Sequence, residues 1–215
     1  MPRDLFAHIT HWVFDLDNTL YPPGVRLFDQ IELRMTNFVM ETLGVDRSQA
    51  DHLRITYWRE YGTTLAGLMQ EHGIDPNPYL TEVHEISLEA LAPDRELRER
   101  IDALPGRKIV YTNGSAPYAE RVIDARGLKG AFDAVYGVEH AGFHPKPDQR
   151  AFERIFSADR LDTLKAAMFE DDARNLVVPH ALGMRTVHVA PTPHSAAHVQ
   201  HHTDDLAGFL ARLVN

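Results

Sequence analysis

The chain has 215 residues, 44% hydrophobic and 25% charged, which suits one ordinary globular unit or a core with a smaller insert. A formal charge of −9 argues against the basic face that nucleic-acid polymers require, yet it permits a small anionic ligand held through a cation. The lack of cysteine excludes disulfides, thiolate metal sites and thiol nucleophiles. With no apolar run of about 18 residues and no signal-like stretch in MPRDLFAHIT, a cytoplasmic protein without membrane attachment is expected.

HWVFDL at 11–16 is short and rich in β-formers, and it predicts a buried strand; Pro22, Pro23 and Gly24 then break the chain. From about 27 to 91 the pattern is helical. Phe28, Ile31, Met35, Phe38, Val39 and Leu43 recur at spacings of three and four, with Gly44 as a stop. Ser48 is a candidate cap for the next helix, DHLRITYWREY. TTLAGLMQEHG predicts a third helix after Thr63, and DPNPYLTEVHEI a loop leading into a fourth. After Pro93 strands and helices alternate: helix DRELRERIDAL, strand RKIVY, helix PYAERVIDARG, strand FDAVYGV, helix QRAFERIF, strand AAMFED, helix ARNLVVPHALG, strand RTVHVA. That order implies an α/β fold, a Rossmann-like parallel sheet with helices on both faces. Residues 1–22 and 93–215 would form the core, and 23–92 an all-helical unit inserted after the first strand.

Ligands of open parallel sheets bind beyond the carboxyl ends of the strands. Asp15 and Asp17 follow the first predicted strand, Thr112 and Asn113 follow RKIVY, Lys146 sits in GFHPKPD, and Glu170, Asp171 and Asp172 end AAMF. Clustered carboxylates without cysteine or histidine beside them are hard-oxygen donors suited to Mg²⁺. Lys146 offers a compact positive charge to a phosphate and to a carboxylate nucleophile. Thr112, Asn113 and nearby backbone N–H groups can donate to a transferring phosphoryl group.

DLDNT at 15–19, YTNGS at 111–115, Lys146 within HPKPD and FEDDARN at 169–175, in this order, resemble the haloacid dehalogenase superfamily of phosphohydrolases. The resemblance implies an aspartyl-phosphate on Asp15 and acid–base work by Asp17. It also implies phosphate binding by Thr112, with Asn113, Gly114 and Asn18 nearby, and Lys146 steadying Asp15. Mg²⁺ would be held by Asp15, the Asp17 carbonyl and Asp171 with Glu170, beneath a cap formed by 23–92. The dehalogenases of the superfamily lack the second acid, so Asp17 favours phosphoryl transfer over halide displacement. FDLDNTLYP, YGTTLAGLMQEHGIDPNPYLTEVHEI, PGRKIVYTNGS and FEDDARNL are similar to the pyrimidine 5′-nucleotidase-like group, which implies UMP or CMP as substrate; the sequence leaves monomer and homodimer both open. A phosphosugar or phosphoglycolate phosphatase, a mutase of the same fold, and a phosphate-binding module without turnover remain as alternatives.

Tyr21, Arg34, Tyr61, Thr64 and His84 are candidates to face the crevice from the insert side. HVAPTPHSAAHVQHH, with His194 and His198 four apart, reads as a solvated surface run that could bind zinc or nickel in a helix.

Overall fold

The computed structural model describes residues 2–214. A short helix α1 (Pro2–Phe6) precedes the central strand β1 (His11–Phe14). Four α-helices follow before the alternating part of the chain: α2 (Leu27–Leu43), α3 (Arg47–Tyr61), α4 (Thr64–His72) and α5 (Pro76–Val83). The remainder alternates: α6 (Arg95–Ala103), β2 (Arg107–Tyr111), α7 (Ala116–Ala125), β3 (Ala134–Tyr136), α8 (Gln149–Asp159), β4 (Ala166–Glu170), α9 (Val177–Ala181), β5 (Arg185–Val189), β6 (His201–Thr203) and α10 (Leu206–Val214). All six strands pair in parallel, in the order β3-β2-β1-β4-β5-β6. The expected Rossmann-like α/β sheet is therefore present.

Strand side chains alternate between faces, so the sheet is buried twice. Trp12, Phe14, Val110, Ala167 and Phe169 join the α6, α7 and α10 side, with Phe14 and Phe169 stacked at 4.8 Å. Val13, Ile109, Tyr111, Ala166 and Met168 pack toward α8 and α9. The inserted helices surround a cluster of their own, which includes Phe38, Val39, Tyr57, Leu68 and Tyr79. Among the described residues no helix is long and apolar enough to cross a membrane.

Local chemistry explains most element ends. Gly44 and Gly73 take left-handed conformations that end α2 and α4. The expected cap at Ser48 is corrected: α3 starts earlier, at a capping box in which Asp46 accepts from the Gln49 N–H and Gln49 accepts from the Asp46 N–H. ARNLVVPHALG is not one helix. Asp172 caps a 3₁₀ turn (Ala173–Leu176), and Pro179 cannot donate back to that turn, so only five residues form α9. Residues 194–198 form loop and turn, not the helix considered for them, and His201 and His202 lie in β6. That edge strand and the amphipathic α10 lie beyond the pattern read from the sequence.

Sheet order reverses at β1. The chain steps out through β2 and β3, then returns to the other side of β1 with β4. The carboxyl ends of β1 and β4 therefore flank the switch point, where an open α/β sheet leaves a crevice.

Candidate active site

Asp15 follows β1 directly, and its N–H still pairs with the Phe169 carbonyl of β4 (2.9 Å). Its side chain is buried. Oδ1 accepts from Lys146 Nζ at 2.7 Å, and Oδ2 accepts from Thr19 Oγ1 at 3.1 Å. Lys146 Nζ also donates to Glu170 Oε2 (2.6 Å) and to the Tyr111 carbonyl (3.1 Å), so all three ammonium protons are used. Burial alone would lower the Lys146 pKa, but Asp15 and Glu170 more than offset it and keep the ammonium charged.

Lys146 is placed by its own backbone. Asn113 closes a two-way clamp on it, with Nδ2 donating to the Lys146 carbonyl (3.0 Å) and Oδ1 accepting from its N–H (2.7 Å). The Asn113 amide thus serves the Lys146 loop. The inserted helices press on the same loop at Gly62, where a Cβ would meet the Lys146 carbonyl at 3.2 Å and φ is +88°. Thr112 is buried, and its Oγ1 accepts from the Gly114 N–H (2.9 Å), which leaves the hydroxyl proton free to donate into the crevice.

Asp17 stands in a different environment. Its Oδ1 accepts from Tyr21 (2.6 Å) and from Tyr118 (2.7 Å), and among the described residues no lysine or arginine forms an ion pair with it. Burial and the neighbouring Asp15 push its pKa up to about 6, against the pull of the two tyrosines. Tyr118 is fixed in turn by stacking on His84 (4.4 Å, 7°).

Asn18 adopts φ +60°, which asparagine tolerates better than most residues, and its Nδ2 donates to Asp171 Oδ2 (3.2 Å). Among the described residues, Asp15, Glu170 and Asp171 form the one set of three whose ligand atoms lie within 4.8 Å of one another. The Asp171 pKa is raised by burial and by the charges of Asp15 and Glu170. Lys146 brings one positive charge to three carboxylates, and the excess negative charge with all-oxygen donors fits a hard divalent cation such as Mg²⁺.

Two connected cavities complete the site. The larger crevice, about 1060 Å³, is walled by Asp15, Asp17, Thr112, Lys146 and Asp171, with Trp58 and Phe28 from the insert. A second cavity of about 440 Å³ opens from it between α2, α3 and α5, with Asp17, Phe28, Trp58, Thr63 and Asn113 shared by both. Of the five candidates suggested on the insert side, Thr64 and His84 line this second cavity and Tyr21 bonds to Asp17. Tyr61 instead bonds to Glu71, and Arg34 donates to the Glu82 carbonyl (3.4 Å). Sequence reading missed Tyr118, Phe28, Arg174 and Trp58. Ile55 and Trp58, exposed three residues apart on the otherwise polar α3, were the available signal. Arg174 grips Asp172 and lies over the Trp58 ring at 3.8 Å, joining core to insert.

His84 carries a prediction. Burial lowers its pKa to about 4, so the folded protein resists its protonation. The unfolded chain takes up that proton near 6.5, so this residue's stabilisation is complete above 6.5 and is lost as pH falls toward 4. His84→Gln should remove an acid-side slope worth up to about 3 kcal/mol. Asp17 and Asp171 contribute slopes of the opposite sign, so the difference between wild type and variant in urea titrations isolates the histidine's share. Parallel curves for the two proteins would refute it.

A model of the haloacid dehalogenase-like hydrolase family matches residues 9–183. The chain belongs to this family. The chain is also similar to phosphate metabolism protein 8 of Saccharomyces cerevisiae, at 29% identity over 192 residues, 82% of this chain. It spans only 59% of that relative's length. Among solved structures it resembles a HAD phosphatase from Thermococcus onnurineus, with a TM-score of 0.63 and 13% identity over 95% of this chain and 98% of the other. It also resembles CbbY from Rhodobacter sphaeroides, solved in complex with phosphate, with a TM-score of 0.64 and 19% identity over 93% of this chain and 95% of the other. Both likenesses concern the fold.

Proposed function

We propose that this hydrolase is a Mg²⁺-dependent phosphomonoesterase working through an aspartyl-phosphate on Asp15, with a pyrimidine nucleoside 5′-monophosphate as preferred substrate. One observation carries the reading: two carboxylates two residues apart sit in opposite environments. Burial and Glu170 push the Asp15 pKa up to about 7, but Lys146 pulls against them and a bound cation would hold Asp15 as the anion; Asp17, held by two tyrosines with a pKa near 6, can carry and release a proton. Asp15 Oδ attacks phosphorus, and the ester oxygen leaves with the proton from Asp17. Asp17, now a carboxylate, takes a proton from the water that attacks the aspartyl-phosphate. Lys146 and the Thr112 hydroxyl stabilise the phosphoryl oxygens. Asp15, the Asp17 carbonyl and Asp171 would hold Mg²⁺, with Glu170 beside them joined to Lys146. The cation neutralises phosphoryl charge when bound. Residues 23–92 act as the cap that excludes water.

The substrate assignment draws on the smaller cavity. Phe28 and Trp58 stand at its mouth beside Asp17, and its walls are mainly apolar. A planar base stacks on such a surface, whereas a sugar phosphate would leave its hydroxyls facing apolar walls. Trp58→Ala should raise KM for UMP roughly tenfold and leave β-glycerophosphate nearly unchanged, with Trp58→Phe recovering most of the loss. Equal effects on both substrates would contradict the stacking role.

Phosphate release with Mg²⁺ and with EDTA, over a panel of nucleotides, sugar phosphates and phosphoglycolate, tests the proposal. Mg²⁺-dependent release led by UMP and CMP supports it. A lead by sugar phosphates retains Asp15 and discards the nucleotide. Asp17→Asn supplies a further check: turnover of UMP should fall by about 10²–10⁴ and that of p-nitrophenyl phosphate, with its good leaving group, far less in the first step. An equal loss in that step for both would argue against the acid role.

A further inference from the structure

We propose a second metal site at the carboxyl ends of β5 and β6, in which His188, His202 and His194 bind a borderline divalent ion such as Zn²⁺ and His198 completes the set. His188 and His202 are register partners in the two parallel strands, so they project to the same face, with ring centroids 5.6 Å apart. The His194 ring lies 6.2 Å from His188, and the His198 ring 6.2 Å from His194. Four imidazoles from two strands and their connection thus gather in one place.

Their tautomers point to the same role. His188 Nε2 lies 2.9 Å from the Asp171 carbonyl, and His202 Nε2 lies 2.8 Å from the Ala190 carbonyl. A carbonyl can only accept, so both Nε2 atoms carry the proton and both Nδ1 atoms present bare lone pairs. A metal-ligating histidine is held in this way, its second nitrogen donating to a backbone carbonyl. His188 is 5% exposed, and its buried Nδ1 makes no hydrogen bond, an expensive arrangement unless something occupies the lone pair.

The donor type agrees, and the strand pair comes near the required spacing. A tetrahedral ion with Zn–N bonds of about 2.1 Å sets imidazole centroids roughly 5–5.5 Å apart. The strand pair is close to that spacing. His194, exposed in its loop, must move inward, because among the described residues no three imidazole donors lie within 4.8 Å of one another as the carboxylate set does. Nitrogen donors favour Zn²⁺, Ni²⁺ or Cu²⁺ over Mg²⁺, and the carboxylates favour Mg²⁺, so the two sites differ in the ion they select. Thr192, Pro193, His194 and His198 wall the larger crevice, and a bound ion would pin this wall to the sheet.

The test is Zn²⁺ titration of the intact, EDTA-stripped chain in excess Mg²⁺, read by competition with a chromogenic chelator and by zinc-edge X-ray absorption. One equivalent should bind with a shell dominated by imidazole nitrogen. His194→Ala with His198→Ala, outside the hydrophobic core, should weaken binding more than about tenfold. His188→Gln with His202→Gln should weaken it by more than about a hundredfold, beyond the loss of an orienting partner alone. Asp171→Asn should retain it. An absence of stoichiometric binding overturns the proposal. So does an oxygen-dominated shell, or binding that Asp171→Asn abolishes and the histidine variants keep.

Discussion

Asp15→Asn should reduce phosphate release more than about ten-thousandfold while leaving the metal-free protein at least as stable as wild type. Asparagine has the same shape: its Oδ1 can still accept from Lys146, and its Nδ2 can donate to the Thr19 hydroxyl oxygen in place of the bond that Asp15 Oδ2 accepts. Lys146 keeps Glu170 as its charged partner. The change removes one negative charge that raises the pKa values of both Asp17 and Asp171. Activity is lost because an amide oxygen is a poor nucleophile, not because the site collapses. Phosphate assays and thermal melts on one preparation check both halves. Substantial turnover in this variant would eliminate Asp15 as nucleophile, and a large drop in melting temperature would show that its charge is structural.

Lys146→Met should behave in the opposite way, with activity and stability lost together. Methionine fills much of the space but leaves Asp15 and Glu170 buried without their cation. Breaking a buried pair from one side costs about 3–5 kcal/mol, and loss of the charge that faces the phosphoryl group costs about 10²–10³ in turnover. The stability loss has a definite pH dependence. Without the lysine that pulls it down, Asp15 would have a folded pKa further above its unfolded value, so the folded protein binds extra protons and is favoured by acid. The deficit is therefore largest at neutral and alkaline pH and shrinks as pH falls through the raised folded value toward the unfolded range near 4. Urea midpoints at two pH values test this, and adding Glu170→Gln should restore part of the stability without the activity. A deficit independent of pH would show that shape, not charge, is what Lys146 supplies.

Much of this was legible in the sequence because strand ends carry their own punctuation. Asp15, Thr112 and Asp171 follow apolar strand runs, Lys146 lies in the loop after β3, and a parallel sheet brings such positions to one edge. Gly44 and Gly73 marked helix ends for a similar reason: the left-handed turn that closes a helix is a local event. What escaped depends on contacts between distant segments. Tyr118 reaches Asp17 across 101 residues, and Trp58 meets Arg174 only because the insert folds back on the core. The Asn113 amide holds the Lys146 backbone, a detail of loop geometry that no spacing rule encodes. The histidine run looked solvated because its composition hides a strand of three residues, whose register with β5 gives His202 its neighbour.

The central claim is covalent chemistry at Asp15. The most direct measurement is peptide mass spectrometry of the Asp17→Asn protein, quenched in acid after brief reaction with p-nitrophenyl phosphate and Mg²⁺. That substrate needs little help in leaving, while the missing base slows hydrolysis of the intermediate. A single phosphoryl adduct on the peptide containing Asp15, absent in Asp15→Asn, is the expected result. An unmodified Asp15 peptide alongside continuing p-nitrophenol release, or an adduct on another residue, would contradict it.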